Sequence, residues 1–297
     1  YAAWNWWNKN TGDNNYGQYT YSGLVKSTLT AEKDITFTKP DGGIFDGNTN
    51  VKNIYTNVEM PFVYENGTYT FDASRNGVYF AENSNQGSTA AQSDGRLYFN
   101  EGNPQSNGGD YGDGSSTVWM PFNSRQNIGS ESDCNYHFGM RTTIPFTMTA
   151  NGKMSPTDDR SEDIQFSFSG DDDVWIFIDG QLVIDLGGIH NRLDAAINFA
   201  KNTWAISKSN DVDVAVRDYD GAAISGTIFN ENGKKGTLNQ TRETFAAKDS
   251  HELTIFYLER GAGSSNCKIE FNLPMKDTVT VTKHATKSIS GDGTVSP

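Results

Sequence analysis

The chain has 297 residues, a formal net charge of −13 and a pI near 4.7, and its basic residues do not cluster, which disfavours nucleic-acid binding. Hydrophobic residues make up 35 % and aromatic residues 12 % of the chain, which excludes a disordered protein and allows a substantial core. The 30 glycines, the recurrent Asn and Thr, and the alternation of apolar with polar residues favour short strands joined by turns, so we predict an all-β fold.

The first 22 residues carry Trp4, Trp6 and Trp7 among Asn and Gly, which predicts an irregular aromatic arm. No signal peptide and no transmembrane run is visible, and the chain begins at Tyr1 rather than Met. We therefore expect a trimmed, mature fragment of a secreted protein that does not insert into a membrane.

A main domain is predicted over residues 23–275, beginning with strand pieces around 35–38 and 58–63. The sequence Glu65-Asn66-Gly67-Thr68 is typical of a hairpin turn. Residues 81–116 are mostly Asn, Gly, Ser, Asp and Gln, which indicates a long loop insertion. Asp110 and Asp113 in this loop are either cation ligands or residues of a solvated turn.

A long strand is predicted within residues 135–149, and a buried hairpin follows it in residues 166–190. Asp179-Gly180 supplies the positive φ angles of a two-residue turn between two apolar runs. In that register Ile178 faces Gln181, and Asp171 and Asp172 fall opposite Gly188 and Gly187.

Three consecutive carboxylates, Asp171, Asp172 and Asp173, would thus lie at the open end of this hairpin. Adjacent ionised acids repel one another unless they are solvated, protonated or neutralised by a cation. One interpretation is a solvated acidic loop end. The other is a Ca²⁺ site, because this ion takes six to eight oxygen ligands, carboxylates among them.

Farther along, residues 193–199 fit neither the helical nor the strand period, whereas 212–216 and 224–229 are predicted strands. Residues 253–258 and 267–273 form the last strong pair of apolar runs, and the Gly- and Asn-containing connection between them is suited to placing oxygen atoms around an ion. Residues 276–297 begin a new alternation without a visible partner, which predicts a linker and the first strand of a following module.

The motifs SGDDDVWIFIDG, DLGGIH, NYHFGM and FYLERGAGSSN with the closing FNLP resemble, in this order, the fibro-slime branch of the PA14 domain superfamily. The resemblance covers about residues 21–275 and implies an antiparallel β-sandwich or barrel. Several PA14 lectins and adhesins bind glycans through Ca²⁺ held by two adjacent Asp residues that are joined by a cis peptide.

The resemblance implies that Asp171 and Asp172 are this pair and that Asn266 is the amide ligand. Backbone oxygens of residues 267–270, among them that of Lys268, would complete the coordination sphere of the ion. Asp173 stands where the family often has Gly, and it would be either an additional ligand or a surface charge. The segment TVTVTKHAT resembles the first strand of a Cna-B-type stalk repeat of Gram-positive surface proteins, in which Lys283 would belong to the next module.

These features lead to one main functional hypothesis, a non-enzymatic, Ca²⁺-dependent carbohydrate-binding adhesin domain of a bacterial surface protein. Its location would be extracellular and cell-wall anchored, and its partners would be a host or cell-surface glycan and further domains of the same protein. Candidate glycan-contacting residues at the rim of the site are Tyr111, Trp119, Asn191, Trp204 and Tyr219.

Two other classes of function compete with this hypothesis. A glycoside hydrolase needs two opposed carboxylates, and no such pair is singled out. A structural or protein-binding module would use the ion only to staple loops. Cys134 and Cys267 are compatible with one disulfide or with two buried thiols.

Overall fold

The computed structural model describes residues 17–39, 53–55, 58, 60–73, 78–80, 97–99, 138–240, 245, 250–259, 265–275 and 280–285. Trp4, Trp6, Trp7, Asp110, Tyr111, Asp113, Trp119 and Cys134 lie outside these ranges. Within them no helix has the length and apolar character needed to cross a membrane.

The fold is all-β, as predicted, with mostly antiparallel strands. The strands are β1 (Tyr19–Ser22), β2 (Asn53–Tyr55), β3 (Val63–Glu65), β4 (Thr68–Asp72), β5 (Val78–Phe80), β6 (Leu97–Phe99), β7 (Phe138–Phe146), β8 (Gln165–Gly170), β9 (Asp173–Ile178), β10 (Gln181–Leu186), β11 (Leu193–Asn198), β12 (Thr203–Lys208), β13 (Val214–Asp218), β14 (Ala223–Phe229), β15 (Lys234–Thr237), β16 (His251–Glu259), β17 (Cys267–Phe271) and β18 (Thr280–Ala285).

Two large sheets form the body of the sandwich. One has the strand order β10-β9-β16-β7-β18-β2, and the other has the order β15-β12-β11-β8-β17-β4-β3. Their facing side chains form the main hydrophobic core, which includes Ile176, Ile255, Phe168 and Ile269. The strands of the second sheet show the expected alternation, since β17 buries every other residue.

Strand β9 is buried along its whole length because both of its faces are covered. Val174, Ile176 and Ile178 point into the main core, whereas Trp175 and Phe177 pack in a second cluster. The second cluster also contains Tyr21, Leu24 and Val25 from the segment 17–39, and Phe256 and Leu258 from β16. Double-sided burial explains why the sequence of β9 is a continuous apolar run rather than an alternating one.

The predicted hairpin of β9 and β10 is present, but its register shifts. Asp179 and Gly180 have φ angles of 49° and 77°, and Gln181 pairs with Ile178 as predicted. A bulge between Leu182 and Ile184 then moves the pairing by one residue, so that Leu186 faces Val174. The predicted opposition of Asp171 and Asp172 to Gly188 and Gly187 is therefore wrong by one position, because a bulge inserts an extra residue in one strand.

The other hairpin prediction is confirmed, with Glu65 paired to Thr68 across Asn66 and Gly67. Residues 193–199, ambiguous in sequence, supply the strand β11. Residues 35–38 form only an isolated bridge between Phe37 and Val25 rather than a strand.

The two apolar runs near the end of the chain, β16 and β17, lie in opposite sheets, so their connection crosses the end of the sandwich. Residues 280–285 pair with both β7 and β2, and the expectation that this alternation has no partner in the chain is wrong. Tyr19–Ser22, at the end of the predicted arm, pairs with β13 in a three-stranded sheet. The division into domains at residues 22 and 275 stays a prediction.

The Asp179 side chain ties the β9–β10 turn to β16. Its Oδ1 accepts a hydrogen bond from the Glu252 backbone N–H at 3.0 Å, and its Oδ2 lies 2.8 Å from Nδ1 of the buried His251. The Asp179 backbone N–H in turn donates to the Glu252 carbonyl. Asp179 thus sets the turn and pins it to the neighbouring strand.

We expect Asp179→Ala to lower the free energy of unfolding by about 2–4 kcal/mol, because it leaves two partly buried groups without an acceptor at a left-handed position. Asp179→Asn keeps an acceptor for Glu252 and tolerates the positive φ, so it should cost about 1–2 kcal/mol. Urea denaturation measures both values. Equal losses in the two variants would contradict this role of the side chain.

Candidate functional site

The three consecutive acids lie where β8 ends and β9 begins, and they are buried. Asp171, Asp172 and Asp173 are 8 %, 2 % and 0 % exposed. The interpretation of a solvated acidic loop end is therefore wrong, because β16 and the segment before β17 cover this end of the sandwich. Burial makes the charge on each acid costly unless a partner compensates it.

Asp171 is held by Asn266, the residue that immediately precedes β17. The Asn266 backbone N–H donates to Asp171 Oδ1 at 3.0 Å, and its side-chain amide donates to Oδ2 at 2.8 Å. On the other side, the His190 backbone N–H donates to the Asp171 carbonyl. The structure therefore brings together Asp171 and Asn266, which are 95 residues apart and were both predicted site residues.

Asp172 lies within hydrogen-bonding reach of Glu259, the last residue of β16. Glu259 is fully buried, and its Oε2 accepts hydrogen bonds from Tyr257 Oη at 2.7 Å and Ser265 Oγ at 2.6 Å. Its Oε1 accepts from no N–H or O–H donor in the described part of the chain. Two carboxyl groups bond directly only when one carries a proton, so Asp172 and Glu259 need either a shared proton or a cation.

Sequence reasoning missed Glu259 as a member of this site. The residue stands in the quoted motif FYLERGAGSSN, but the alternation of the strand gives no sign that a carboxylate ends it facing inward. The signal available was its position two residues beyond Tyr257 on the buried face, since residues i and i+2 of a strand share a face.

The electrostatics of the cluster favour protonation in the absence of a cation. Burial, followed by the charge of Asp172, raises the pKa of Asp171 to about 7. Burial and then the Asp172 carboxylate raise the pKa of Glu259 well above its usual range. Burial and the Glu259 charge also raise the pKa of the Tyr257 hydroxyl, which therefore remains a donor.

Asp173 takes part in the turn rather than in this cluster. Its Oδ1 accepts a hydrogen bond of 2.5 Å from the Gly188 backbone N–H, and Gly188 has a φ of 93°. The neighbouring Gly187 leaves no open space beside the acids, because a Cβ there would lie 2.3 Å from Leu24 Cδ1. Gly187 instead exchanges backbone hydrogen bonds with Tyr21.

The remaining sequence candidates occupy different surroundings. Lys268 lies within β17 between β8 and β4, and its side chain pairs with Glu270 at 2.9 Å. Asn191 directly follows His190 in the chain, and its side chain lies close to Gly17. Its backbone N–H donates a hydrogen bond to the Gly17 carbonyl. Cys267 is buried in the main core, and its disulfide with Cys134 stays a prediction.

Two of the predicted glycan-contacting aromatic residues are involved in packing. Trp204 packs against the main core beside Gly236, where a Cβ would lie 2.4 Å from the indole ring. Tyr219 is 37 % exposed, and Lys39 Nζ lies 5.5 Å from the centre of its ring. Neither contact involves the acid cluster.

The donor set at this end of the sandwich fits a hard cation such as Ca²⁺. It consists of the carboxylates of Asp171, Asp172 and Glu259, with the amide of Asn266 beside them, and all are oxygen donors of the kind that this ion takes. Glu259 Oε1 is buried and accepts no hydrogen bond from the described residues, which favours a bound cation. In the present arrangement of the described residues, no three His, Cys, Asp or Glu side chains are placed so that they could hold a metal ion together. Asp171 and Glu259 would have to exchange hydrogen bonds for metal bonds.

Comparison with known proteins gives partial similarity to proteins of Dictyostelium discoideum. The chain is 28 % identical to the protein psiF over 144 residues, which is 48 % of this chain and 14 % of that protein. It is 38 % identical to psiB over 80 residues, or 27 % of this chain and 12 % of psiB, and 61 % identical to psiR over 33 residues, or 11 % and 3 %. The chain thus spans 14 % or less of the length of each of these three relatives.

No protein-family profile matches the chain. Among solved structures, the CBM2 module of the evolved Dit of Lactobacillus casei BL23 phage J-1 aligns over 83 % of this chain and 95 % of that module. The identity is 11 % and the TM-score is 0.17, a similarity too low to carry an argument. The resemblance to PA14 domains stays a prediction.

We expect the stability of the metal-free protein to fall as the pH rises from about 4 to 7. Asp171 has a pKa of about 7 in the fold against the ordinary value of 3.8. Between these values the folded chain keeps a proton that the unfolded chain releases, so the free energy of unfolding decreases as the pH increases.

The midpoint of thermal unfolding in a chelating buffer, recorded in steps of pH, measures this effect. Asp171→Asn cannot titrate and should show a shallower decline over the same range. A wild-type midpoint that rises steadily from pH 4 to pH 7 would contradict the assignment.

Proposed function

We propose that this chain is a non-enzymatic, Ca²⁺-dependent carbohydrate-binding domain of an extracellular, cell-surface protein. The observation that carries the proposal is the buried group of Asp171, Asp172 and Glu259 at one end of the sandwich. Glu259 Oε1 is buried and accepts no hydrogen bond from the described residues. A divalent cation would supply the missing positive charge without requiring protonation.

Within this proposal the residues have separate roles. Asp171, Asp172 and Glu259 hold the cation, and Asn266 orients Asp171 and offers its amide oxygen. The bound ion would coordinate vicinal hydroxyl groups of a sugar. Tyr257 and Ser265 fix the orientation of Glu259 through their hydrogen bonds to Oε2.

Accessibility argues against an enzyme that uses these carboxylates. Glu259 is fully buried and Asp172 is 2 % exposed, whereas an acid and a base of a glycoside hydrolase must both reach the glycosidic bond. The 8 % exposure of Asp171 gives a ligand its best access to this cluster. A sugar would therefore approach the ion from the side of Asp171 and Asn266.

The same burial favours a second candidate function, a module in which the cation only staples loops. An ion held here would join the start of β9, the end of β16 and the segment before β17. Such a staple would stabilise the fold without contacting any ligand. Ligand binding, rather than metal binding, therefore distinguishes the two functions.

Calorimetric titration at pH 7 tests the cation. We expect Ca²⁺ binding by the wild type and loss of the binding heat in Asp172→Ala, because that variant removes a carboxylate from the centre of the cluster. Glu259→Gln should bind more weakly while keeping its size. Asp185→Asn is the matched control, because Asp185 is a half-buried acid with a raised pKa that bonds instead to Ser22, Gly23 and Trp175. Equal heats in the wild type and in Asp172→Ala would remove the metal assignment.

A glycan array tests the ligand. We expect the wild-type chain to retain at least one glycan in Ca²⁺ and to bind it more weakly when a chelator is added. Asp185→Asn should behave like the wild type, whereas Asp172→Ala should bind no glycan through the ion. Calcium binding by calorimetry together with an empty array would favour the loop-stapling module.

A further inference from the structure

The exposed face of the seven-stranded sheet carries a groove with a volume of about 410 Å³. This lies within the range of roughly 300–1,000 Å³ that is typical of small-molecule sites. The groove crosses β12, β11, β8 and β17, and it reaches Asn266 at the end where the acid cluster lies. It is therefore a separate surface that adjoins the proposed cation site.

Strand pairing places the groove residues in two rows across the sheet. In the first row Ser169 lies between Asp194 and Lys268, and Ser207 follows on the far side of Asp194. In the second row Ser167 lies between Ala196 and Glu270, and Ala205 follows beyond Ala196. Four strands at a spacing of about 4.8 Å make each row roughly 14 Å long.

The floor of the groove is unusual for the open face of a sheet. Ser167, Ser169, Ala196, Ala205 and Ser207 are small residues on three adjacent strands. Serine and alanine are weaker strand formers than the β-branched residues that usually occupy such positions. Their concentration here leaves a hollow, and three of the five present a hydroxyl group at its floor.

The polar groups of the groove suit a ligand that is neutral and rich in hydroxyl groups. The side chain of Asp194 forms no ion pair with the described residues and accepts no hydrogen bond from them, so its two carboxylate oxygens are open acceptors beside the serine hydroxyls. Lys268 and Glu270 neutralise one another at 2.9 Å. With Asp72 and Arg192 also at the groove, three acids face two bases, which disfavours a polyanion.

A peptide is a poorer fit to the same surface. Strand-like capture of a peptide requires an open sheet edge, but β12, β11, β8 and β17 are each paired on both sides. Their backbone groups are occupied, and the floor is formed by serine and alanine rather than by large apolar side chains that could pack on an anchoring residue. Recognition here must come from hydroxyl and carboxylate groups of side chains.

We infer that this groove binds several successive units of a neutral oligosaccharide, with Asp194 accepting hydrogen bonds from sugar hydroxyls and the serines lining the path. The inference takes its ligand class from the proposed function and extends it. One end of the glycan would meet the acid cluster at Asn266, and the rest would lie along the sheet. Binding in the groove itself needs no cation.

The test is a ¹H–¹⁵N NMR titration of the full chain with linear tetrasaccharides of glucose, mannose and N-acetylglucosamine, in Ca²⁺ and in chelator. We expect at least one tetrasaccharide to shift the amide signals of Ser167, Ser169, Asp194 and Lys268 in both conditions. Ser169→Tyr fills the hollow with a residue that strands favour, so it should fold and weaken binding about tenfold or more. Asp194→Asn should also weaken it. Ser225→Tyr, the same change at an exposed position of β14, should leave it unchanged.

The outcomes separate the groove from the cation site. Groove shifts that persist in chelator and disappear in Ser169→Tyr support the groove, even where the wild type and Asp172→Ala give equal Ca²⁺ binding heats and the proposed function fails. Shifts confined to Asp171 and Asn266, Ca²⁺-dependent and unchanged in Ser169→Tyr, overturn the groove and leave the proposed function standing. The absence of groove shifts with every tetrasaccharide also overturns the inference.

Discussion

The burial of β9 on both faces is the constraint on which the arrangement of this molecule depends. Its inner side chains belong to the core between the two large sheets, and residues of the segment 17–39 cover Trp175 and Phe177. A strand enclosed in this way also buries the residues that lead into it. Asp171, Asp172 and Asp173 are therefore held away from water by the same packing that stabilises the sandwich.

The chain compensates the three acids by three different means. Asp171 takes both donors of Asn266, Asp173 caps the backbone at Gly188, and Asp172 faces Glu259, another acid. The first two arrangements satisfy a carboxylate with N–H groups. The third sets one carboxylate beside another, and in a buried site the charge of Asp172 raises the pKa of Glu259. The Asp172–Glu259 contact is thus the feature of the fold that most requires an explanation from function.

Local sequence patterns predicted much of the fold. The Asp179-Gly180 and Asn66-Gly67 turns, the alternation of β7 and β17 and the buried run of β9 follow from turn chemistry and periodicity. The bulge after Leu182 could not be predicted, because it depends on neighbouring elements: Leu182 donates to the Ser27 carbonyl from the segment that covers this sheet. The placement of residues 280–285 next to β7 is likewise a long-range pairing without a local signal.

Part of the candidate site could also be predicted from the sequence. Sequence motifs singled out Asp171, Asp172 and Asn266, and the structure places Asn266 on Asp171. The motifs did not reveal that the acids are buried, nor that Glu259 faces Asp172, since both follow from the packing of β16 against β9. The peptide between Asp171 and Asp172 is trans here rather than cis as the resemblance implied, since the described residues contain no cis peptide. Their side chains accordingly reach different partners.

We propose above all that the carboxylates of Asp171, Asp172 and Glu259 form a cation site. A high-resolution crystal structure grown at pH 7 in Ca²⁺ tests this proposal most directly. We predict an ion bonded to oxygens of all three carboxylates at about 2.3–2.6 Å. A structure in which Asp171 keeps both bonds from Asn266, with Glu259 against Asp172 and no ion between them, would contradict it.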